Sequence, residues 1–154
     1  MNPAIIIYGN VPSSKNTRQI VHPKTKRARW NADKGFQGSV ITAKDLPMMR
    51  NKSRVIASKL VRDYEKRAEL QWISHRARFH RLIEGLRKPY RISFRFVRDS
   101  NRKFDYINAA QIVQDLMVRY EWLDDDNADE MIPVFEPYRV DKLDAGVVIT
   151  VQGS

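Results

Sequence analysis

Short apolar stretches near both ends of the chain predict β-strands. Residues 4–8 form a continuous β-branched run, residues 91–97 alternate apolar and polar side chains, and residues 132–135 and 146–151 are extended in type. A continuous run is typical of a strand buried on both faces, whereas alternation is typical of a strand with one buried face. The polar face of the second strand is expected to carry Arg91, Ser93 and Arg95.

Two longer segments show the spacing of amphipathic helices. From residue 52 to residue 86 apolar side chains recur every three to five positions, and residues 105–120 repeat the pattern. The first stripe comprises Val55, Ile56, Leu60, Val61, Tyr64, Ala68, Ile73, Ala77 and Leu82. The second comprises Ile107, Ala110, Val113, Leu116, Met117 and Tyr120. These elements predict an α+β fold, with one domain over residues 1–154 in which the two helices cover a small mixed sheet.

The pattern is weaker between the first strand and the long helix. Residues 20–22 and 27–30 are expected to pair as an irregular hairpin around a turn at residues 23–26. Before them, residues 11–18 are rich in turn formers and include the cations Lys15 and Arg18. This loop is predicted either to present charge and backbone amides to phosphate or to be an ordinary solvated turn.

Charge makes nucleic acid the leading partner. The chain has 28 Lys and Arg against 18 Asp and Glu, a net charge of +10, and a surplus of this size attracts polyanions. Residues 50–88 hold twelve of the cations and four of the anions. The long helix is therefore interpreted either as a wall that faces DNA or as an amphipathic helix whose cations are simply solvated.

The expected location is the cytoplasm, without a membrane partner. The chain has no cysteine, which excludes thiolate metal sites and cysteine nucleophiles and is compatible with a reducing compartment. Its longest apolar run, residues 4–8, is far shorter than the roughly 20 residues that cross a bilayer.

Acidic residues stand out against this basic background and are the candidates for chemistry. Asp105 and Asn108 lie at the start of the second helix, and Asp124, Asp125 and Asp126 follow its end. Carboxylates that hold Mg²⁺, with Mn²⁺ as the alternative ion, would suit phosphodiester hydrolysis, because the ion activates water and stabilises the leaving oxygen. Each also has an ordinary interpretation: Asp105 as a helix N-cap, and the three aspartates as a solvated turn.

Helix length limits how these carboxylates can meet. A helix over residues 105–120 is about 24 Å long at 1.5 Å per residue. Asp105 and the 124–126 turn can share a metal site only if the helix is shorter, or if the carboxylates meet across a bend or across a dimer. The sequence leaves these alternatives open.

The same residues resemble a known family, the RusA-type Holliday junction resolvases found in phages and prophages. The family pattern has Asp-x-Asp-Asn near a helix start, Asp-Ala or Asp-Leu further along, and Trp-x-Asp-Asp or Tyr-x-Asp-Asp about sixteen residues on. In this chain Asp105-Tyr106-Ile107-Asn108, Asp115-Leu116 and Trp122-Leu123-Asp124-Asp125 match these motifs in order. An apolar strand followed by Gly9-x-x-Pro12-Ser13-x-Lys15-Asn16 is similar to the opening of the family.

The resemblance implies a magnesium-dependent endonuclease that cuts four-way DNA junctions as a homodimer. It implies catalytic roles for Asp105, Asp125 and Asp124, and metal binding by Asp105, Asp125 and Asn108. DNA contacts are expected from Lys15, Asn16, Arg18, Arg102 and Lys103. In the family the carboxylates converge on one acidic patch, so their meeting here is implied by the resemblance alone.

Two positions depart from the family pattern. Ile107 stands where the family has its second Asp, and Gln111 stands where it has a Lys. Loss of a carboxylate weakens divalent binding, and loss of the Lys removes a positive group near the scissile phosphate. Two other functions therefore remain open: a RusA-like protein that binds DNA with impaired catalysis, and a basic phage protein that binds RNA or another protein.

Overall fold

The computed structural model describes residues 3–13, 18–21, 29–31, 35–37 and 54–153, and for the short strands within 18–57 it describes the backbone. The chain divides into two compact units, one formed by Met1–Thr17 with Ala57–Ser154 and the other by Arg18–Ile56. Each is described separately. The expectation of one domain over residues 1–154 stays a prediction.

The larger unit is built on a five-stranded mixed sheet. Its strands are β1 (Ala4–Tyr8), β6 (Tyr90–Arg98), β7 (Met131–Phe135), β8 (Arg139–Val140) and β9 (Gly146–Gln152). The order is β1-β9-β6-β7, and β8 pairs with the end of β6. β9 runs antiparallel to β1 and β6, whereas β7 and β8 run parallel to β6. The four predicted strands are confirmed.

Two helices complete the larger unit, α1 (Lys59–Ile83) and α2 (Tyr106–Arg119). Both helices contribute to a core that also contains every second residue of the central strands. The strand register places these buried residues side by side. Ile149 lies between Ile5 and Phe94 in one row, and Val147 lies between Ile7 and Phe96 in the next. All six side chains are buried. The predicted α+β fold class is therefore confirmed.

Aromatic residues inside the core join α1 to the turn that follows α2. Trp72 and Phe79 of α1 both pack against Trp122, with ring centroids 4.9 and 5.0 Å apart. The Trp122 indole also donates a hydrogen bond to the Trp72 carbonyl over 2.8 Å. Trp72 and Phe79 are completely buried, and Trp122, the tryptophan of the Trp-x-Asp-Asp motif, belongs to the core.

The first helix begins later than predicted. Arg54–Ala57 form strand β5, and Ser58 is the N-cap, whose hydroxyl accepts from the Val61 amide at 3.4 Å. At the N-cap a serine hydroxyl accepts from a first-turn backbone amide that has no acceptor within the helix, and this favours a helix start at that residue. The predicted apolar stripe is wrong at Leu60, Ile73 and Ala77, which are exposed. The α1 residues that are buried are Val61, Tyr64, Ala68, Trp72 and Phe79.

Two further burial predictions are wrong. In β1 Ile5 and Ile7 are buried while Ile6 and Tyr8 are exposed, so the strand is covered on one face only. In α2 Ile107 is 74% exposed, because it lies on the solvent side of the first turn, whereas Tyr106 packs against the core. α2 otherwise follows its prediction closely, since it spans Tyr106–Arg119.

The smaller unit contains two strand pairs. β2 (Arg18–Val21) pairs with β5, and β3 (Arg29–Asn31) pairs antiparallel with β4 (Gly35–Gln37). The predicted pairing of residues 20–22 with 27–30 is therefore wrong, because each strand pairs with a different partner. In the part of the chain that the structure describes, no helix combines the length and apolar character needed to cross a membrane.

Candidate functional site

A cavity of about 990 Å³ opens in the larger unit where β6 ends and α2 begins. It is called the basic cavity below. Four chain segments meet there: the loop after β1, the first turn of α1, the end of β6 with the loop that leads to α2, and the turn before β9. Its lining residues are Asn10, Pro12, Ser13, Leu60, Arg98, Asp99, Ser100, Arg102, Lys103, Phe104, Asp105 and Lys142.

The lining carries more positive than negative charge. Arg98, Arg102, Lys103 and Lys142 contribute four cations, against the carboxylates of Asp99 and Asp105. Arg102, Lys103 and Lys142 are exposed to solvent. Cations around a concave surface attract phosphate, and they do so more strongly than the same charges spread over a flat surface.

Arg98 ties the walls of the cavity together. Its Nη1 donates to the Val11 carbonyl at 2.6 Å, and its guanidinium lies 4.6 Å from the centre of the Phe104 ring. Its own carbonyl accepts from the Asp141 amide at 2.8 Å. Burial lowers the pKa of Arg98, and neighbouring Asp99 opposes this shift. An arginine stays charged despite a lowered pKa, so Arg98 is a partly buried cation that holds three segments in place.

Asp105 is the N-cap residue of α2, but its side chain makes no capping hydrogen bond. Oδ2 of Asp105 instead accepts from Nδ2 of Asn108 at 2.7 Å. The ordinary interpretation of Asp105, a side chain that caps the helix through a backbone amide, is therefore wrong. Asn108 lies one turn further on and orients the carboxylate at the edge of the basic cavity.

The donor atoms here are of the type that Mg²⁺ prefers. Asp99 and Asp105 supply carboxylate oxygens, and the buried Asn10 Oδ1 has no hydrogen-bond partner among the described residues. The residues that the structure describes include no group of three or more His, Cys, Asp or Glu side chains that could hold a metal ion. Mg²⁺ is usually held by one or two carboxylates together with water and substrate phosphates, so the donors fit an ion that arrives with a phosphate.

The acidic turn, residues 124–126, lies elsewhere. Asp124 accepts from Lys88 Nζ at 2.9 Å, and the same ammonium group contacts Glu130 at 2.6 Å. The bonds to Glu130 and then Asp124 raise the pKa of Lys88. Lys88 precedes the start of β6, so this ion-pair network fixes the turn at the opposite end of that strand from Asp105.

Asp125 is held by its own turn. Its Oδ2 accepts from Nδ2 of Asn127 at 2.8 Å, and its Oδ1 accepts from the Asp126 amide at 2.7 Å. These bonds, the one from Asn127 first, lower the pKa of Asp125. Hydrogen bonds to a carboxylate favour its ionised form, so Asp125 remains charged over a wide pH range.

Asp115, the aspartate of the middle motif, belongs to the surroundings of this turn. Partial burial raises its pKa, and the charge of Asp126 adds to the effect. Arg119 opposes the shift and is itself paired with Glu65 at 2.9 Å. The middle and final motifs are thus electrostatic neighbours, separate from Asp105.

One chain does not bring Asp105 and the acidic turn together. Fourteen residues of α2 separate the two groups, a length of about 21 Å at 1.5 Å per residue. After the helix, the turn is anchored at the start of β6 through Lys88. The helix is only two residues shorter than predicted, and the chain after it does not bend back toward Asp105. Of the alternatives left open by the sequence, a metal site shared across a dimer therefore stays a prediction.

The structure gathers part of the predicted site at the basic cavity. Asp105, Arg102 and Lys103 line it, and Asn108 contacts Asp105. Asp124 and Asp125 lie apart from them. Lys15 and Asn16 fall outside the described residues, as does the side chain of Arg18.

Four lining residues with charged or amide side chains were not predicted to belong to a site: Asn10, Arg98, Asp99 and Lys142. Asn10 and Asp99 each follow closely on the end of a strand, which is a position where polar side chains commonly form sites. Their position after a strand end is the only feature of the sequence that indicated Asn10 and Asp99.

No model of a known protein family matches this chain, and no curated protein matches it.

Proposed function

We propose that this chain is a magnesium-dependent, structure-specific endonuclease of the RusA type, which acts on branched DNA in the cytoplasm. The observation that supports this most is the basic cavity. There the first carboxylate of the resolvase-like motif, the predicted cations Arg102 and Lys103, and the Pro12-Ser13 part of the opening motif lie around one concave surface.

The residues of the cavity would divide the work. Arg102, Lys103 and Lys142 would bind the phosphate backbone and set its register, since such contacts position DNA without reading its sequence. Asn108 would keep the Asp105 carboxylate directed toward the bound phosphate through its 2.7 Å hydrogen bond. Arg98 would hold the cavity walls at a fixed spacing, because it is bonded to one of them and stacked on another.

Asp105 would hold Mg²⁺, with Asp99 and Asn10 as the further oxygen donors of the same cavity. The ion would supply activation of water and stabilisation of the leaving oxygen. Asp124 and Asp125 take part in this proposal only through a second copy of the chain, in a homodimer that places the acidic turn of one copy at the basic cavity of the other.

A second candidate is a RusA-like protein that binds branched DNA and does not cut it. The observation that favours it is Ile107, which replaces a carboxylate and is exposed at the first turn of α2, next to Asp105. An isoleucine there cannot coordinate a cation. A third candidate, a basic protein that binds RNA or another protein, is supported by the net charge of +10 alone.

The experiment that separates these functions combines binding and cleavage. A labelled four-way junction is incubated with the protein, with and without Mg²⁺, and unlabelled linear duplex and RNA are added as competitors. Cleavage that requires Mg²⁺, with junction outcompeting duplex and RNA, supports the nuclease. Junction-selective binding without cleavage under any metal condition supports the second candidate, and preference for RNA supports the third.

Mixing two variants tests where the second carboxylate comes from. If Asp105 of one copy works with Asp125 of the other, then Asp105→Asn and Asp125→Asn are each inactive as homodimers. Their mixed dimer regains one intact site and nicks the junction on one strand. If Asp99 is the partner of Asp105, Asp125→Asn retains activity by itself and Asp99→Asn loses it.

A further inference from the structure

An aromatic surface continues from the basic cavity toward the edge of the sheet. It is formed by Phe104, Tyr106, Phe135 and Tyr138 and is called the aromatic surface below. The Phe104 ring, which lines the cavity, lies 5.2 Å from the rings of Tyr106 and Tyr138, centroid to centroid. Tyr106 in turn lies 5.4 Å from Phe135 of the edge strand β7. The rings thus form a continuous series that leads away from the cavity.

The outer rings of this series are open to solvent. Tyr138 is 46% exposed and Phe135 is 38% exposed, whereas Trp72, Phe79, Phe94 and Phe96 of the core are completely buried. Tyr138 is also fixed in place, because its amide donates to the Tyr106 hydroxyl at 2.9 Å and its ring meets Phe104 edge to face. An aromatic ring that is both exposed and held costs little conformational entropy when a ligand stacks on it.

Positive charge surrounds the same surface. Arg139 follows Tyr138 and is exposed, and Lys142, three residues further, lines the basic cavity. Arg102 and Lys103, which also line the cavity, immediately precede Phe104 in the chain. Aromatic rings next to cations that track a phosphate backbone are the usual means of holding single-stranded nucleic acid, because bases stack on the rings while the cations neutralise the phosphates.

We propose that the aromatic surface, with Tyr138 at its exposed end, stacks unpaired nucleobases of DNA whose backbone lies in the basic cavity. This inference rests on the proposed function and makes its substrate more specific. The preferred DNA has bases that are unstacked or unpaired beside the bound phosphates, as at a branch point, a gap or a single-stranded end. Continuous duplex would engage the cations alone.

Binding without divalent metal tests this directly, because the result does not depend on cleavage. The affinities of labelled single-stranded oligothymidine and of a linear duplex of the same length are measured by fluorescence anisotropy at fixed salt. Tyr138→Ala is expected to weaken single-strand binding at least about fivefold, the lower end of what one stacked base contributes. Duplex binding is expected to change less than about twofold, because phosphate contacts supply the non-specific affinity.

Three variants serve as controls. Tyr138→Phe keeps the ring and is expected to bind as the wild type does. Tyr138→Leu keeps an apolar side chain without the ring and is expected to behave like Tyr138→Ala, which separates stacking from packing. Tyr8→Ala removes a tyrosine of similar exposure, 51%, that is absent from the cavity lining and the aromatic surface, and it is expected to have no effect on either ligand.

Wild-type affinity of Tyr138→Ala for the single strand would overturn the inference, and so would an equal loss for both ligands. Those results leave the proposed function standing if the wild type still binds the junction. A wild-type protein that binds no DNA overturns the inference together with the function on which it rests.

Discussion

Arg98 Nη1 donates a hydrogen bond of 2.6 Å to the carbonyl of Val11 and so joins residues 87 positions apart. The bond connects the end of β6 to the loop after β1. Because Arg98 also stacks on Phe104, it joins that loop to the segment that delivers Asp105. Arg98 therefore connects the resolvase-like opening motif and the Asp105 motif as two walls of the basic cavity.

Removal of this connection is expected to cost stability. Arg98→Ala deletes a charged donor to a partly buried carbonyl, and hydrogen bonds to charged groups contribute about 1.5–3 kcal/mol. Urea unfolding is expected to show a loss of that size. Arg91→Ala, an exposed arginine of the same strand, is expected to stay within about 0.5 kcal/mol of the wild type. Equal losses of unfolding free energy in the two variants would show that the hydrogen bond from Arg98 to Val11 does not stabilise the protein.

Gly146 is expected to tolerate no side chain. A Cβ at this position would lie 2.3 Å from the Ile7 carbonyl oxygen, and the backbone of β1 cannot move aside, because it is paired with β9 along its length. Gly146→Ala is expected to destabilise the protein by about 1–3 kcal/mol or more in urea unfolding. Gly153→Ala meets nothing within 4 Å and is the matched control. If Gly146→Ala left the free energy of unfolding unchanged, β1 and β9 would have to lie further apart than they do in the structure.

Asp115 is expected to make stability depend on pH. Burial and Asp126 raise its pKa in the folded state above the ordinary value of 3.8, so folding favours the protonated form. The resulting loss of folding stability is absent below pH 3.8, where the carboxyl is protonated in both states. It develops as pH rises through the folded-state pKa. Asp115→Asn is therefore expected to raise the melting temperature at pH 7 and to change it less at pH 3.5.

The gain is expected to stay below about 1 kcal/mol, because the side chain is largely exposed and solvent screens its interactions. Thermal unfolding of both proteins across that pH range measures the difference. A gain that is the same at both pH values, or largest at low pH, would contradict the assigned shift.

Much of the fold follows from local patterns in the sequence. The strand at residues 91–97 alternates because one face meets the helices, and α2 follows its apolar spacing within one residue at each end. The start of α1 could not be predicted, because residues 55–57 carry apolar side chains that suit either a helix or a strand. By residue type Ser53 and Ser58 are both N-cap candidates, and in the structure the hydroxyl of Ser58 makes the capping bond.

The site was predictable only in part. Spacing indicated correctly that Asp105 and the acidic turn lie at opposite ends of one helix. The meeting of Asn10, Arg98 and Lys142 around Asp105 depends on which strands are neighbours in the sheet. Nothing in the local sequence encodes that order, so these residues could be recognised only in three dimensions.

The cations of the basic cavity are expected to set the salt dependence of DNA binding. Each phosphate contact contributes about 0.9 to the slope of log affinity against log salt. Arg102→Gln combined with Lys103→Gln is expected to reduce the slope for a junction by up to about 1.8. Lys66→Gln combined with Arg67→Gln removes two exposed cations of α1. If this control pair reduced the slope more than the cavity pair did, the DNA-binding surface would lie on α1 and not at the cavity.

Single-turnover cleavage of a four-way junction by Asp105→Asn, at saturating protein and Mg²⁺, tests whether the basic cavity is catalytic. Asp63→Asn, which changes an exposed carboxylate of α1 that is not among the lining residues of the cavity, is the control. We expect Asp105→Asn to bind the junction normally and to cleave it at least about 100-fold more slowly, while Asp63→Asn cleaves at the wild-type rate. Cleavage by Asp105→Asn at the rate of the control would show that the basic cavity is not the catalytic site.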